Sequence, residues 1–259
     1  MGRFSTLPTT IPRRMAERAA IVTGASRGIG LAIAEALAQD GYGLTVAARK
    51  PDTLAQTAER LRADGHEVED IAGNMGDEEA VRAVVERHRE RFGRLDVLVN
   101  NAGVGIGAAA HEQQTKYVDL QIAVNLRAII LFYRECAEML RAAGAEHRKA
   151  LVVNLSSIAG KSGQAWLSVY SATKAGVVGF TQAMNRELKG QGIKSTALCP
   201  AFVDTAMTDF MKDRLAPEDM IQVADVVESV RFLLRLTPGC VVPEIVFTGR
   251  GGALKVQTA

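Results

Sequence analysis

Short apolar runs that alternate with helix-length amphipathic segments predict an α/β fold built on one doubly wound parallel sheet. Two further observations support this. The runs are apolar on both faces, as expected for strands covered by helices on either side. Three glycines, Gly24, Gly28 and Gly30, follow the first run, where a strand must turn sharply into a helix.

Taken in order, residues 19–23 read as a strand and residues 29–40 as a helix, with Ile29, Ile33, Ala36 and Leu37 on one face. Residues 43–48 form the second strand and 52–63 the second helix, with Asp52 as its N-cap. Residues 67–72 are a third strand, 77–92 a helix and 95–100 a fourth strand. A long helix is expected over 115–143, followed by a strand over 151–155 and a helix that carries Tyr170 and Lys174. Residues 193–199 and 242–247 complete seven strands, with helices near 206–214 and 223–236 between them. Parallel strands joined this way need right-handed crossovers. One domain over 19–259 is expected, with a substrate loop around 203–222.

Residues 1–18 differ in composition. Pro8, Pro12, Thr9 and Thr10 oppose regular structure, and Arg3, Arg13, Arg14 and Arg18 outnumber Glu17. A flexible tail is expected. An organelle transit peptide is the alternative, opposed by the two prolines and the lack of an amphipathic period. Met15 is a candidate alternative start.

The 259 residues are 47% hydrophobic and 23% charged, and 31 basic against 29 acidic residues leave a net charge of +2. No global field therefore attracts nucleic acid or an anionic membrane. Cys136, Cys199 and Cys240 are widely spaced and odd in number, which fits reduced thiols and a cytoplasmic location. No apolar run reaches the roughly 18 residues of a membrane span. His66, His88, His111 and His147 lack ligand spacing, so no metal is expected.

The chemistry lies in two stretches. The glycine turn is Thr23-Gly24-Ala25-Ser26-Arg27-Gly28-Ile29-Gly30. Gly24 permits a tight turn, Gly28 lets backbone approach a phosphate, and Gly30 lets the helix lie close to the strand. The helix N-terminus then offers free N–H groups to an anion. The second stretch runs from the strand at 151–155 through Ser156 and Ser157 to Tyr170 and Lys174. Tyrosine and lysine four apart share a helix face. An ammonium about 4 Å from the phenol in a partly buried site contributes on the order of 4 kcal/mol, which predicts a lowered tyrosine pKa. A phenol so tuned suits general acid–base catalysis.

With these residues in hand, the chain resembles the short-chain dehydrogenase/reductases over about residues 19–253. The matching blocks are the glycine turn, Asn100-Asn101-Ala102-Gly103, Val124-Asn125-Leu126, Leu155-Ser156-Ser157, Tyr170-Ser171-Ala172-Thr173-Lys174 and Cys199-Pro200-Ala201-Phe202-Val203-Asp204-Thr205. The resemblance implies a single-domain Rossmann fold and a catalytic set of Asn125, Ser157, Tyr170 and Lys174. The serine thirteen residues before the tyrosine is the family's, which selects Ser157 over Ser156. Tyr170 would be the general acid in carbonyl reduction, and Ser157 would polarise the substrate oxygen. Lys174 would tune Tyr170 and bind the nicotinamide ribose. Asn125 would hold a water linking Lys174 to solvent. Cofactor contacts are implied for Gly24, Ser26, Arg27, Gly28, Ile29, Gly30, Arg49, Asn74, Asn101, Ala102, Gly103, Tyr170, Lys174, Val203 and Thr205.

Charge argues for NADP(H) over NAD(H). The second strand ends in Ala48 where NAD-preferring relatives carry Asp; Arg49 follows, and Arg27 is a second cation for a 2′-phosphate. Two blocks depart from the family, with Asn74-Met75 in place of Asp-Val and Pro200-Ala201 in place of Pro-Gly. The expected function is reduction of a carbonyl, or oxidation of a secondary alcohol, in an apolar pocket near Trp166, Ile106, Met207, Phe210 and Met211. His111 reads as a loop residue. A 3-oxoacyl reductase acting on acyl carrier protein or coenzyme A is the alternative. Arg141, Arg148 and Lys149 would then meet the carrier, although Gly190-Gln191-Gly192 lacks the arginine those reductases often carry. A non-catalytic NADP(H)-binding regulator is the outside alternative, disfavoured by the intact Ser-Tyr-Lys set. The larger nucleotide-sugar-modifying relatives are also disfavoured, since they need a substantial C-terminal substrate domain. The resemblance also implies a homo-oligomer, tetramer or dimer, built on the helices bearing Asn125 and Tyr170.

Overall fold

A computed structural model of the chain describes residues 16–249. Its strands are β1 (Arg18–Thr23), β2 (Tyr42–Ala48), β3 (Val68–Ala72), β4 (Val97–Asn100), β5 (Ala150–Leu155), β6 (Ile193–Pro200) and β7 (Glu244–Phe247). They form one sheet in the order β3-β2-β1-β4-β5-β6-β7, with every pairing parallel. The helices are α1 (Gly28–Gln39), α2 (Pro51–Ala63), α3 (Glu78–Phe92), α4 (Thr115–Ile122), α5 (Ala128–His147), α6 (Ser168–Glu187) and α7 (Val223–Arg235). This is a Rossmann-like single domain.

Period-2 alternation divides each inner strand between two cores. Val97, Val99, Leu151 and Val153 face a cluster that includes Ile33, Leu37, Leu54 and Val226, from α1, α2 and α7. Leu98 and Val152 face the opposite cluster, with Val84, Phe132, Leu140 and Met184 from α3, α5 and α6. Each of these side chains contributes about 1.5–3 kcal/mol by leaving water. The chain winds outward from β1 to β3 and then returns to the other side of β1 as β4. Strand order therefore reverses between β1 and β4, and the crevice opens there at the strands' carboxyl ends.

Several expected elements differ in detail. Asp52 is not the N-cap of α2; Lys50 is, with Pro51 in the first turn and Asp52 placed where the helix dipole favours an acid. The single helix over 115–143 is instead α4 and α5, joined by a π-helical segment at Ala123–Arg127 and extending to His147. It ends where Arg148 adopts a left-handed conformation. No helix forms over 206–214. Its place is taken by a 3₁₀ turn at Asp209–Met211, whose bonds mostly span three residues, and another follows at Pro217–Asp219. The last strand begins at Glu244 rather than 242, after Pro243, which has no N–H but accepts from Ala197 through its carbonyl. The domain starts with Arg18 in β1, one residue before expected. The tail expected over residues 1–15, and Met15 as a start, lie outside the described residues. No described helix is long and apolar enough to cross a membrane.

Candidate active site

At the crevice, β1 and β4 are locked together by side chains. Thr23 Oγ1 accepts from the N–H groups of Asn101 and Ala102, both at 3.0 Å. Asn101 Nδ2 donates back to the carbonyls of Thr23 (2.9 Å) and Gly24 (3.2 Å). A Cβ on Gly30 would lie 2.3 Å from Asn101 Nδ2 and 2.5 Å from the Gly24 oxygen, so only glycine lets α1 pack this closely. Gly24 itself has φ +66, the left-handed turn that swings the chain from strand to helix. Asn101, expected to close over a cofactor, also braces the glycine turn.

The start of α1 lacks a side-chain cap and has no acid in its first turn, so its N–H groups stay available to an anion. Ser26, Gly28 and Ile29 are half-buried around it. The Thr205 methyl lies 3.5 Å from where a Gly28 Cβ would be, so the segment after β6 comes over the glycine turn. Arg27 and Arg49 are exposed and make no ion pair with the described residues. By contrast, Arg60, Arg62, Arg87 and Arg91 each hold a carboxylate. Asn74 is exposed, with its Oδ1 accepting the Gly76 N–H at 3.2 Å. Val203 is 4% exposed and part of the first core, so it presents only backbone to the crevice.

The second half of the site is set by β5 and α6. The two serines after β5 part company. Ser156 is buried and donates to the Lys174 carbonyl at 2.8 Å, which ties the loop to α6. Ser157 is half-buried; its Oγ accepts from the Ala159 N–H at 3.1 Å and hydrogen-bonds Tyr170. Lys174 is buried and donates from Nζ to the Leu155 carbonyl at 2.5 Å, with Nζ 5.7 Å from the centre of the Tyr170 ring. A Cβ on Gly103 would sit 3.6 Å from that Nζ and 3.4 Å from Asn125 Oδ1, so the strand-4 turn, the lysine and the asparagine converge.

The electrostatics reverse one expectation. Burial raises the Tyr170 pKa above its usual value, and the Ser157 hydrogen bond offsets only part of the rise. Burial also lowers Lys174, to about 8, with the neighbouring Cys199 acting against it. The ammonium is aimed at the Leu155 carbonyl and not at the phenol oxygen, so it does not acidify the tyrosine as the spacing alone predicts. Tyr170 is a protonated phenol at neutral pH.

Asn125 is fully buried within the π-helical segment. Its Oδ1 accepts the Val104 N–H at 2.8 Å, while Nδ2 donates to the Val104 carbonyl (2.8 Å) and to Thr173 Oγ1 (3.2 Å). Both amide hydrogens are committed, leaving one oxygen lone pair for a water. Gln121, one turn earlier and also fully buried, accepts from the Ile106 N–H at 3.2 Å. Sequence reasoning passed over Gln121; the detectable signal was a second carboxamide four residues before Asn125 on the same helix face. Thr173, between the catalytic-type tyrosine and lysine, was also missed.

Around the mouth, Trp166 is 65% exposed, Met207 53% and Phe210 71%. Met211 is buried and faces away from solvent, whereas Ile106 is half-buried and His111 exposed. Arg148 and Lys149 directly precede β5, and Arg141 bonds Gln191 in the loop before β6. In a parallel sheet these positions lie at the far end from Ser157, roughly 20 Å along a six-residue strand. Within one chain they do not reach the crevice.

A model of the short chain dehydrogenase family matches residues 18–216. The chain belongs to that family. As a short-chain dehydrogenase it is an oxidoreductase of alcohols and carbonyls. It is 39% identical over 210 residues to a protein named as a ketoacyl reductase of the granaticin polyketide synthase of Streptomyces violaceoruber, covering 80% of this chain and 76% of that one. It is 34% identical over 226 residues to the 3-oxoacyl-(acyl-carrier-protein) reductase FabG of Staphylococcus aureus, covering 83% and 90%. Among solved structures, a single-substitution variant of actinorhodin polyketide ketoreductase with NADPH aligns at TM-score 0.79 and 31% identity, over 89% of this chain and 94% of that one.

Proposed function

We propose that this short-chain dehydrogenase reduces a ketone to a secondary alcohol with NADPH, and that Tyr170 delivers the proton to the carbonyl oxygen. The observation that carries this is the meeting of Ser157, Tyr170 and Lys174 where β5 ends and α6 begins, with the phenol kept protonated by burial. An acid must hold its proton until the oxygen needs it. The residues present fit the cofactor. The uncapped α1 terminus and the side-chain-free glycine turn suit a pyrophosphate, and the unpaired Arg27 and Arg49 suit a 2′-phosphate. When bound, NADPH supplies the hydride.

The chain's own residues do the rest. Ser157 Oγ, pinned by the Ala159 N–H, donates to the substrate oxygen beside the Tyr170 hydroxyl. Lys174, anchored on Leu155, holds the ribose hydroxyls. Asn125 fixes Val104 and keeps an acceptor for a water beside Lys174. Asn74, Ala102, Gly103 and the backbone of Val203 with Thr205 complete the cofactor contacts. Residues 203–222 form the substrate segment.

The relatives' names favour 3-oxoacyl thioesters as the substrate class, and the apolar Trp166, Met207 and Phe210 suit an acyl chain. We also infer a cytoplasmic homo-oligomer, dimer or tetramer. The half-exposed Ile122 (43%) and Ile130 (41%) on α4 and α5 support it. Carrier contact through Arg141, Arg148 and Lys149 would then have to come from another copy. The test is NADPH oxidation over ketones, diketones, quinones and 3-oxoacyl thioesters, run beside Tyr170→Phe. Turnover that survives in the phenylalanine variant, or NADPH binding without turnover on any of these, overturns the assignment.

A further inference from the structure

We propose that Gln121 is a positioning residue for the wall of the substrate pocket, holding residues 104–108 against Tyr170. The inference rests on the ketone-reductase function proposed above. Gln121 has no exposed surface, and a carboxamide so buried is costly unless bonded. It is bonded at both ends. Nε2 donates to the Tyr117 carbonyl at 3.2 Å, which fixes the side chain against its own helix, and Oε1 accepts the Ile106 N–H at 3.2 Å.

The neighbouring contacts show what this bond does. Asn125 clamps both backbone groups of Val104, two residues before Ile106. Two residues after it, the Ala108 N–H donates to the Trp166 carbonyl at 2.8 Å, and the Ala108 carbonyl accepts from Gln113 Nε2 at 3.4 Å. Residues 104, 106 and 108 are thus tied to three separate supports. Gly105, between the first two, runs against Tyr170: a Cβ placed on it would lie 3.7 Å from Cδ2 and Cε2 of the ring. Gln121 holds the middle tie. Without it the strap between Asn125 and Trp166 is free to bow, and the wall facing the phenol loses its fixed distance. Asn125 and Lys174 both converge on Gly103, whereas the Gln121 side chain bonds only Tyr117 and Ile106 among the described residues, so its loss should fall on substrate binding.

Gln121→Leu keeps bulk and removes the acceptor. It should raise KM for the carbonyl substrate roughly tenfold, as expected for one lost buried hydrogen bond, with kcat far less affected and NADPH Kd unchanged. Gln121→Glu supplies the rescue. A protonated carboxylic acid reproduces both bonds, so substrate KM should approach the parent value at low pH and rise as the carboxyl ionises. The leucine variant should show no such pH dependence. An unchanged KM in folded Gln121→Leu, or matched losses of NADPH and substrate affinity without rescue in Gln121→Glu, overturns the proposal. If Gln121→Leu does not fold, amide exchange in the parent protein decides. The Ile106 N–H should be protected on the order of 100-fold over an open loop; exchange at the open-loop rate overturns the proposal. That measurement needs no substrate, so it stands even if reductase activity is not found.

Discussion

Between β1 and β4, Thr23, Gly24, Gly30 and Asn101 brace one another through backbone-directed hydrogen bonds and contacts that admit no extra atom. Across the crevice, Met207 and Phe210 face solvent from a segment held mainly by single 3₁₀ turns, and Trp166 is fixed through its carbonyl while its indole stays exposed. The first wall is shaped by backbone geometry and has one solution. The second is shaped by side chains with room to move. A fold that keeps one nucleotide-binding crevice while its substrate loops vary is served by this division. Tyr170 stands where the two walls meet, and the largest effect is expected there.

Tyr170→Phe removes the acid while leaving the ring. Turnover should fall by roughly 10²–10⁴, the usual share of a positioned proton donor, with NADPH binding retained by fluorescence titration. If NADPH affinity fell as far as turnover, the tyrosine would belong to the cofactor wall and not to the boundary. On the mechanism proposed above, reduction uses a protonated Tyr170 and a charged Lys174 at the cofactor ribose. The rate should therefore hold below about 8 and fall as pH rises through that value, where Lys174 loses its charge first.

The next effect concerns the half of the sheet that carries the braced wall. His88 on α3 is fully buried, bonded to Thr45 Oγ1 on β2 and to the Arg94 carbonyl, both at 2.8 Å. Burial lowers its pKa from 6.5 to about 4, so the fold favours the neutral ring. The unfolded chain binds the proton more readily over that interval. Stability is therefore complete above 6.5 and is lost as pH falls toward 4, by at most about 3 kcal/mol. Urea midpoints between pH 7 and 4.5 should drop more steeply for the parent than for His88→Gln, with β2 and α3 amides exchanging first. Equal slopes would detach this side of the sheet from the histidine.

The same division explains what was legible in the sequence. Gly24, Gly28 and Gly30 announce their turn because only glycine meets its steric demands, and seven apolar runs between helices specify the parallel sheet. Tyr170 and Lys174 announce their shared face by spacing. The tyrosine's pKa direction was not legible, since it depends on burial and on the lysine ammonium turning to the Leu155 carbonyl. Nor was the π segment at Ala123–Arg127, which carries Asn125 toward Val104 within an otherwise ordinary helical pattern. The helix expected over 206–214 failed for a related reason. Its apolar spacing fits a helix, but Thr208 Oγ1 bonds the carbonyls of Val203 and Thr205 and turns the chain before a second helical turn forms.

Arg49 tests the cofactor wall by charge. Arg49→Ala should weaken NADPH binding roughly tenfold to a hundredfold, the range of a lost charge-assisted hydrogen bond, and leave NADH binding near its parent value. A matched loss for both cofactors would assign the arginine to general packing. Arg27→Ala should act in the same direction, and the double variant should lose the preference for NADPH.

The smallest effect is expected on the open wall. Phe210→Ala removes an exposed ring that bears no core load, so the midpoint of thermal unfolding should hardly move. If the ring closes over an acyl chain, KM should rise by roughly tenfold for long 3-oxoacyl thioesters, about one apolar side chain's worth of contact. Short ketones should be unaffected, because they end before reaching it. Trp166→Ala differs, since Trp166 has φ +66 and its carbonyl holds Ala108. There the loss should extend to short ketones, unless the carbonyl contact survives without the indole. A Phe210→Ala profile independent of chain length would show that Phe210 stays in solvent during turnover, and that the pocket ends at Trp166 and Ile106.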